Sequence, residues 1–122
     1  MRSSSRQKEA DSQLHRNLEA AKNYLMQYQI IEQRIAGLNL IDQSDYTRKE
    51  IETGRSIQEG IEETIRKMPL SQKKTVIELH YIGGMTLEKI GRKLLIAETT
   101  VKKYHKLGLE RIFEILKEAG QI

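Results

Sequence analysis

Cysteine and tryptophan are absent from the 122-residue chain, which contains one proline and one phenylalanine. Without cysteine, disulfides, thiolate catalysis and cysteine-ligated metal sites are excluded. Hydrophobic residues make up 38% of the sequence and charged residues 31%, which is lean for one deep globular core. The composition therefore favours thin helical layers or an oligomer.

Long apolar runs are also missing from the sequence. No stretch approaches the roughly 18 residues that a membrane span requires, and no signal-peptide pattern opens the chain. We therefore expect a cytoplasmic protein that does not bind a membrane.

The positive charge is confined to one half of the chain. Residues 1–69 contain 11 Lys and Arg against 11 Asp and Glu, whereas residues 70–122 contain 10 against 6. The formal net charge of +4 therefore belongs entirely to the second half. This asymmetry indicates an anionic partner for that half, although charge alone fits a solvated helix surface equally well.

An apolar stripe with alternating steps of three and four residues follows a polar segment, residues 1–11, which we expect to be a flexible basic tail. The spacing is heptad-like and typical of one side of a long helix. We expect this helix to start near Ser12 and to end near Gly37, before turn-forming residues at 39–45. The stripe consists of Leu14, Leu18, Ala21, Leu25, Tyr28, Ile31, Ile35 and Leu38.

A second helical pattern runs from Ile51 to Met68 and stops at Pro69, because proline lacks the backbone N–H that a helix needs. The two helices, residues 12–68, are predicted to form an antiparallel, coiled-coil-like hairpin. Such a hairpin cannot cover both apolar stripes alone, so it packs on the C-terminal part or pairs with a second copy. We favour a homodimer because the first stripe is long and nearly continuous. The expected oligomer interface consists of Leu14, Leu18, Leu25, Tyr28 and Ile35.

Gly54 and Gly60 lie inside the second predicted helix, where each costs about 1 kcal/mol relative to alanine. Close contact with a neighbouring helix would explain Gly54 and Gly60 in the second helix. Gly108, in the last helix, allows either such an approach or a bend.

Past Pro69 the pattern changes to three shorter helices. The first has Ser71 as its N-cap and ends at the glycine pair 83–84, the second begins with Thr86 as its N-cap, and the third continues to Gly120. The apolar side of the second consists of Leu87, Ile90, Leu94 and Leu95. The chain is therefore expected to be all-α, with five helices and no strand.

The last two helices have the spacing of a helix-turn-helix, in which one helix braces the other so that the second enters the major groove. Gly91 supplies a small residue where the two helices would touch, and Ile96 anchors the turn. Val101 and Tyr104 supply the buried side of the reading helix. Residues 69–122 are therefore predicted to form a domain that binds double-stranded DNA.

The side chains between these anchors are expected to face outward and to contact DNA. Lysine donates to guanine or phosphate, threonine contacts phosphate or a thymine methyl group, and a helix N-terminus favours phosphate. Glu98 would be repelled by phosphate, so it caps the helix or accepts from a cytosine amino group. The predicted DNA-binding residues are Thr86, Glu98, Thr99, Thr100, Lys102, Lys103, His105 and Lys106. The alternative is a three-helix bundle with a lysine-rich exposed face.

Residues 69–116 resemble region 4 of the sigma-70 family. The shared pattern is a helix ending in Y-x-G-G, then T-L-E-x-I-G-x-x-L, then I-x-x-x-T-V-K, here at 81–84, 86–94 and 96–102. The residues that this resemblance places at bases or adjacent phosphates are Thr99, Thr100, Lys102 and Lys103. The family often has serine or threonine at the cap of the reading helix and arginine soon after, where this chain has Ala97 and Glu98.

Nothing in the sequence resembles the promoter-melting region 2, which argues against a complete sigma factor of the ordinary kind. A region-4-like domain behind a helical extension is similar to the phage late-gene regulators grouped with ArpU and RinA. That resemblance implies an activator that binds near a promoter and touches RNA polymerase.

Two other functions remain open at this point. A small terminase-like DNA-packaging subunit also joins a helix-turn-helix to helical oligomerisation segments, and a helical interaction module, such as a polymerase-binding adaptor, would not read DNA. His15, His80 and His105 lack metal-ligand spacing, and no set of side chains forms a catalytic constellation. We therefore expect neither an enzyme nor a metal or cofactor site.

Overall fold

Five α-helices make up the computed structural model of the protein, which describes residues 3–41 and 44–122. The helices are α1 (Ser3–Ile41), α2 (Asp45–Arg66), α3 (Gln72–Ile77), α4 (Leu87–Leu94) and α5 (Glu98–Glu118), and a π-helical turn, Glu78–Ile82, continues α3. The described residues contain no strand, so the predicted all-α fold with five helices is confirmed. None of the described helices is both long enough and apolar enough to span a bilayer.

The first helix is longer than the sequence predicts at both ends. It begins at Ser3 rather than near Ser12, and it continues past Gly37 to Ile41. Residues 1–2 of the predicted tail and residues 42–43 of the predicted turn lie outside the described residues. Polar side chains stabilise the added N-terminal turns, since Gln7 donates to Asp11 at 3.0 Å, one helical turn away. Apolar periodicity could not reveal turns that are polar on every side.

The apolar stripe of α1 is covered by the chain's own helices. Leu25 is fully buried in a core that includes Ile61 of α2 and Ile112 of α5. The hairpin therefore packs on the C-terminal part, which was the less favoured of the two alternatives. Of the five residues expected at an oligomer interface, two are buried within the chain and three are partly buried. The two buried residues are Leu25 and Ile35, and the three partly buried residues are Leu14, Leu18 and Tyr28.

Polar contacts add specificity to the pairing of α1 and α2. The Tyr28 hydroxyl donates to Oε1 of Glu62 at 2.7 Å, and burial together with this carboxylate raises the pKa of Tyr28 to about 12. The amide of Gln58 donates both to the Tyr28 carbonyl at 3.1 Å and to Glu32 at 2.8 Å. The bond from Gln58 is the main reason that the pKa of Glu32 is lowered. These bonds depend on one register between the two helices, because a slip would leave them unmade.

Only one of the two glycines in α2 has a packing role within the chain. A Cβ atom at Gly54 would lie 2.8 Å from Cγ2 of Ile31 and 3.3 Å from Cδ1 of Ile35. Glycine there lets α1 and α2 approach closely. At Gly60 the same atom would meet nothing within 4 Å, so no described residue of the chain makes the predicted close contact there.

A second, smaller core lies under the helix-turn-helix. Val76 of α3, Ile90 of α4 and Val101 of α5 are fully buried together. Partly buried side chains surround these three: Leu79, Met85, Leu87, Leu94, Ile96 and Tyr104. This core joins the short helices α3 and α4 to the first half of α5.

The turn between α4 and α5 differs from the prediction at Leu95. This residue was expected on the buried side of α4, but it is 89% exposed and adopts the left-handed conformation with φ 59° and ψ 43°. The Gly91 carbonyl accepts from the Ile96 N–H at 3.0 Å and closes the helix. The prediction was wrong because the chain reverses at Leu95, which ends the helical periodicity. A left-handed conformation costs an L-residue about 1–2 kcal/mol.

Gly108 lies at the close contact between α3 and α5. A Cβ atom there would be 2.6 Å from Cγ1 of Ile77 and 3.4 Å from the Lys73 carbonyl oxygen. Ile77 is fully buried, so it has little room to shift. Of the two roles predicted for Gly108, the close approach is the one that the structure contains.

Gly108→Ala is expected to lower the free energy of unfolding by about 1–2 kcal/mol, because the clash with Ile77 outweighs the gain in helix propensity. Gly37→Ala is the matched control, since a Cβ atom at Gly37 meets nothing within 4 Å. The control should stabilise the protein by about 1 kcal/mol. Urea denaturation measures the free energy of unfolding of both variants and of the wild type. A change of the same sign in both variants would contradict the close-contact role of Gly108.

Candidate DNA-binding surface

The reading helix is positioned by close contacts between α4 and α5. A Cβ atom at Gly91 would lie 3.0 Å from the Ile96 carbonyl oxygen and 3.4 Å from Cγ2 of Val101. Gly91 is buried, and Val101 is fully buried. The small residue, the turn anchor and the buried valine therefore occupy the places that the sequence predicts for a helix-turn-helix.

Three predicted contact residues lie in one row on the exposed side of α5. Thr99, Lys103 and Lys106 are all exposed, and steps of four and three residues place them on one line along a helix. We call Thr99, Lys103 and Lys106 the α5 row. Glu110 continues the same line, so the basic part of the row is restricted to the first half of α5. In helix-turn-helix proteins that end of the reading helix contacts base edges.

Lys102 lies beside this row and is engaged within the chain. Its Nζ atom is 3.7 Å from Oε1 of Glu98, one turn earlier, and both side chains are largely exposed. An exposed pair of this kind is worth less than about 1 kcal/mol, so phosphate can displace it. Glu98 is the first residue of α5, and the N-cap is Ala97, which makes no side-chain capping bond. The capping role considered for Glu98 is therefore wrong.

Two predicted threonines lie at the edges of this surface. Thr86 is exposed and caps α4, where its hydroxyl accepts from the Lys89 N–H at 3.2 Å. Thr100 is partly buried in the first turn of α5, and its N–H donates to the Ala97 carbonyl at 3.0 Å. Both are less available to a ligand than Thr99.

His105 points inward, so its predicted outward position is wrong. Its Nε2 atom is 2.7 Å from the Tyr81 hydroxyl, and the two rings stack with centroids 5.6 Å apart. Burial, with smaller contributions from His80 and Lys22, lowers the pKa of His105 from 6.5 to about 4. The prediction was wrong because α1 and the π-helical turn pack on α5 at this point and bury a wider part of its surface. The apolar pattern of one helix cannot show such a contact.

The neighbouring ring of His80 holds the loop before α4. Its Nδ1–H donates to the Met85 carbonyl at 2.6 Å. His80 also makes edge contacts with the rings of Tyr81 and His105, at centroid distances of 4.7 and 5.2 Å. The three rings therefore connect α5 to the π-helical turn and fix the angle of the reading helix. Burial raises the pKa of Tyr81, so its hydroxyl keeps its proton.

Three basic residues of α4 were missed by the sequence reasoning. Lys89, Arg92 and Lys93 are exposed, and Arg92 is paired with Glu88 at 2.9 Å. The available signal was that these three residues alternate with the apolar positions Leu87, Ile90 and Leu94. The bracing helix of a helix-turn-helix crosses the DNA backbone, so these cations suit phosphate contacts.

The described residues contain no group of three or more metal-ligating side chains. Every buried side-chain nitrogen and oxygen atom described has a hydrogen-bond partner.

The inward position of His105 makes stability depend on pH. Unfolded histidine protonates near pH 6.5 and the folded protein keeps His105 neutral to about pH 4. The unfolded state therefore binds more protons between these values, and the free energy of unfolding falls as the pH drops from 6.5 toward 4. Urea denaturation measures the free energy of unfolding at pH 7 and at pH 5. The difference between these two values should be smaller for His105→Gln than for the wild type. His15→Gln is the control, because His15 is exposed. An unchanged pH dependence in His105→Gln would contradict the assignment.

A comparison with protein-family models matches residues 58–112 to the family Sigma-70, region 4. The match includes the last turns of α2, which share the main core with α5, and all of α3 and α4. Searches of curated proteins and of solved structures found no match to this chain. Residues 58–112 are thus a sigma-70 region 4 helix-turn-helix domain, a type of domain found in DNA-binding proteins that act in transcription.

Proposed function

We propose that the protein is a sequence-specific DNA-binding transcriptional regulator in which the first half of α5 enters the major groove. The observation that carries this proposal is the α5 row, Thr99, Lys103 and Lys106, exposed on a helix that α4 braces. A lysine row on a fixed helix can neutralise phosphates and donate to guanine edges. Thr99, next to the free backbone N–H groups of the helix N-terminus, suits a phosphate or a thymine methyl group.

The remaining predicted residues take supporting roles in this proposal. Lys102 exchanges its ion pair with Glu98 for a phosphate, and Glu98 is left to accept from a cytosine amino group. Thr86 and Thr100 lie at the edge of the contact, with Lys89, Arg92 and Lys93 along the DNA backbone. His105 is omitted, because its side chain is bonded to Tyr81.

We further propose that the protein activates late genes of a phage or prophage. Support comes from its resemblance to ArpU- and RinA-type regulators, in which a region-4-like domain follows a helical extension. In this proposal a homodimer places two reading helices in successive major grooves, so its site is a two-fold or direct repeat. The DNA-bound protein then contacts RNA polymerase.

Lys103→Ala/Lys106→Ala is expected to weaken DNA binding by at least about tenfold, because each lysine removed loses a phosphate or base contact. The slope of log affinity against log salt should become shallower by about 1.8 per bound subunit, from roughly 0.9 for each phosphate contact. Fluorescence anisotropy against a mixed pool of duplex fragments from the source genome, at two salt concentrations, measures both quantities.

The matched control is Arg6→Ala/Lys8→Ala, which removes the same charge from exposed positions at the start of α1. It should retain the affinity and the salt slope of the wild type. Equal losses of DNA affinity in both variants would mean that the effect comes from net charge and not from the position of the lysines. Binding that is unchanged in Lys103→Ala/Lys106→Ala would favour the alternative function, a helical interaction module that does not read DNA.

Activation is tested separately, by transcription in vitro with bacterial RNA polymerase from a template carrying the selected site. The wild type should increase the transcript several-fold, and Lys103→Ala/Lys106→Ala should not. A protein that binds the site without raising transcription would refute activation and leave DNA recognition intact.

A further inference from the structure

One face of α2 is exposed although it carries apolar and small side chains. Its members recur every three or four residues and so lie along one side of the helix. We call this set the outer face of α2. It consists of Asp45, Tyr46, Lys49, Thr53, Ser56, Ile57, Gly60 and Glu63, together with the C-cap residue Lys67, all exposed.

The apolar side chains of the outer face are suited to packing against another helix. Tyr46 is 71% exposed and Ile57 39% exposed. Both line a groove of about 440 Å³ beside α1, together with Ile31 and Thr53. Apolar side chains along such a groove gain about 25 cal/mol per Å² when a partner covers them.

Gly60 is the second independent observation on this face. Glycine inside a helix costs about 1 kcal/mol relative to alanine, and no atom of the described chain lies within 4 Å of a Cβ at Gly60. Gly54, by contrast, is explained by the close approach of Ile31. Gly60 fits a close approach of a helix from outside the chain.

The charges at the two ends of the outer face identify that helix. Asp45 and Lys67 lie at equal distances in sequence on either side of Ser56, and so do Lys49 and Glu63. The two residues of each pair carry opposite charges. When two copies of the helix lie antiparallel, each charge therefore faces the opposite charge of the other copy. An interface with two-fold symmetry brings such reversed copies of one surface together.

We propose that the outer face of α2 is the interface of a homodimer in which the two α2 helices are antiparallel and cross at Ser56. Lys49 then faces Glu63 of the partner subunit, and Asp45 faces Lys67 of the partner subunit. Gly60 lies beside Thr53 of the partner subunit, where a missing side chain lets the axes approach to the 8–10 Å of packed helices.

The charged side chains are available for these contacts. Lys49 and Lys67 have no ion-pair partner among the described residues, and Asp45 makes only a marginal contact with Arg48 at 4.0 Å. Glu63 is paired with Arg66 and can keep that pair at the edge of the dimer. The interface contains no residue of α5, so the inference goes beyond DNA binding and does not depend on it.

Charge reversal on the full-length protein tests the proposal. Lys49→Glu and Glu63→Lys should each raise the dimer dissociation constant by at least about tenfold, because two-fold symmetry turns two attractions into two repulsions. The combined variant Lys49→Glu/Glu63→Lys should restore the wild-type constant, since the reversed charges again face each other. Sedimentation equilibrium over a range of protein concentrations measures each constant, without DNA.

Lys8→Glu is the control for net charge, because Lys8 is exposed on α1 away from this face. It should leave the dissociation constant unchanged. Circular dichroism at the lowest protein concentration should show wild-type helix content in every variant, which separates loss of dimer from loss of fold.

Gly60→Gln supplies a second variant that is expected to stabilise the helix while weakening the dimer, because its side chain would occupy the space beside Thr53 of the partner subunit. Gly37→Gln is matched to it, since Gly37 is also a helical glycine with nothing within 4 Å of a Cβ, and it should not affect dimerisation. A monomeric wild type, a larger ring, or a dimer that ignores both charge reversals would overturn the proposal. Failure of the combined variant to restore dimerisation would overturn the antiparallel geometry.

Discussion

The burial of α1 between α2 and α5 is the contact on which the rest of the structure depends. Leu25 is enclosed by residues of both neighbours, including Ile61 and Ile112. The N-terminal helices are therefore part of the same core as the sigma-70 region 4 domain, and removing them would expose the apolar side of α5. A low content of hydrophobic residues is sufficient here because one long helix, α1, packs on two other helices at once. Few large apolar side chains are therefore needed to form the core.

The smaller core under the helix-turn-helix has a different role. Val76, Ile90 and Val101 are fully buried together, and the glycines at 91 and 108 leave room for the side chains of Val101 and Ile77 where α4 and α3 pack on α5. Close-packed interfaces of this kind resist small rotations, because any shift creates clashes or voids. The angle of α5 is held further by the bond between Tyr81 and His105. The exposed lysines of α5 are thereby presented on a rigid support, which limits the entropy lost on binding.

The two surfaces that remain open have different physical properties. The exposed side of α5 is basic and polar, as expected for a partner with a charged backbone. The outer face of α2 combines Ile57 and Tyr46 with charges of both signs, as expected for a protein partner with matched charges. Because the surfaces lie on different helices, the proposed contact with DNA and the proposed contact with a second copy do not compete for the same residues.

The sequence by itself determined the five helices, the caps at Ser71 and Thr86, and the anchors of the helix-turn-helix, Gly91, Ile96 and Val101. These features are encoded within a few residues, through periodicity, capping side chains and steric size. Only the tertiary structure decided that the stripe of α1 faces α2 and α5, that His105 turns inward, and that Leu95 is exposed. The first two depend on which distant helix lies beside the residue, and periodicity within one helix shows that a side will be buried without showing what covers it. Leu95 is exposed because the chain reverses there in the left-handed conformation, which ends the periodicity of α4.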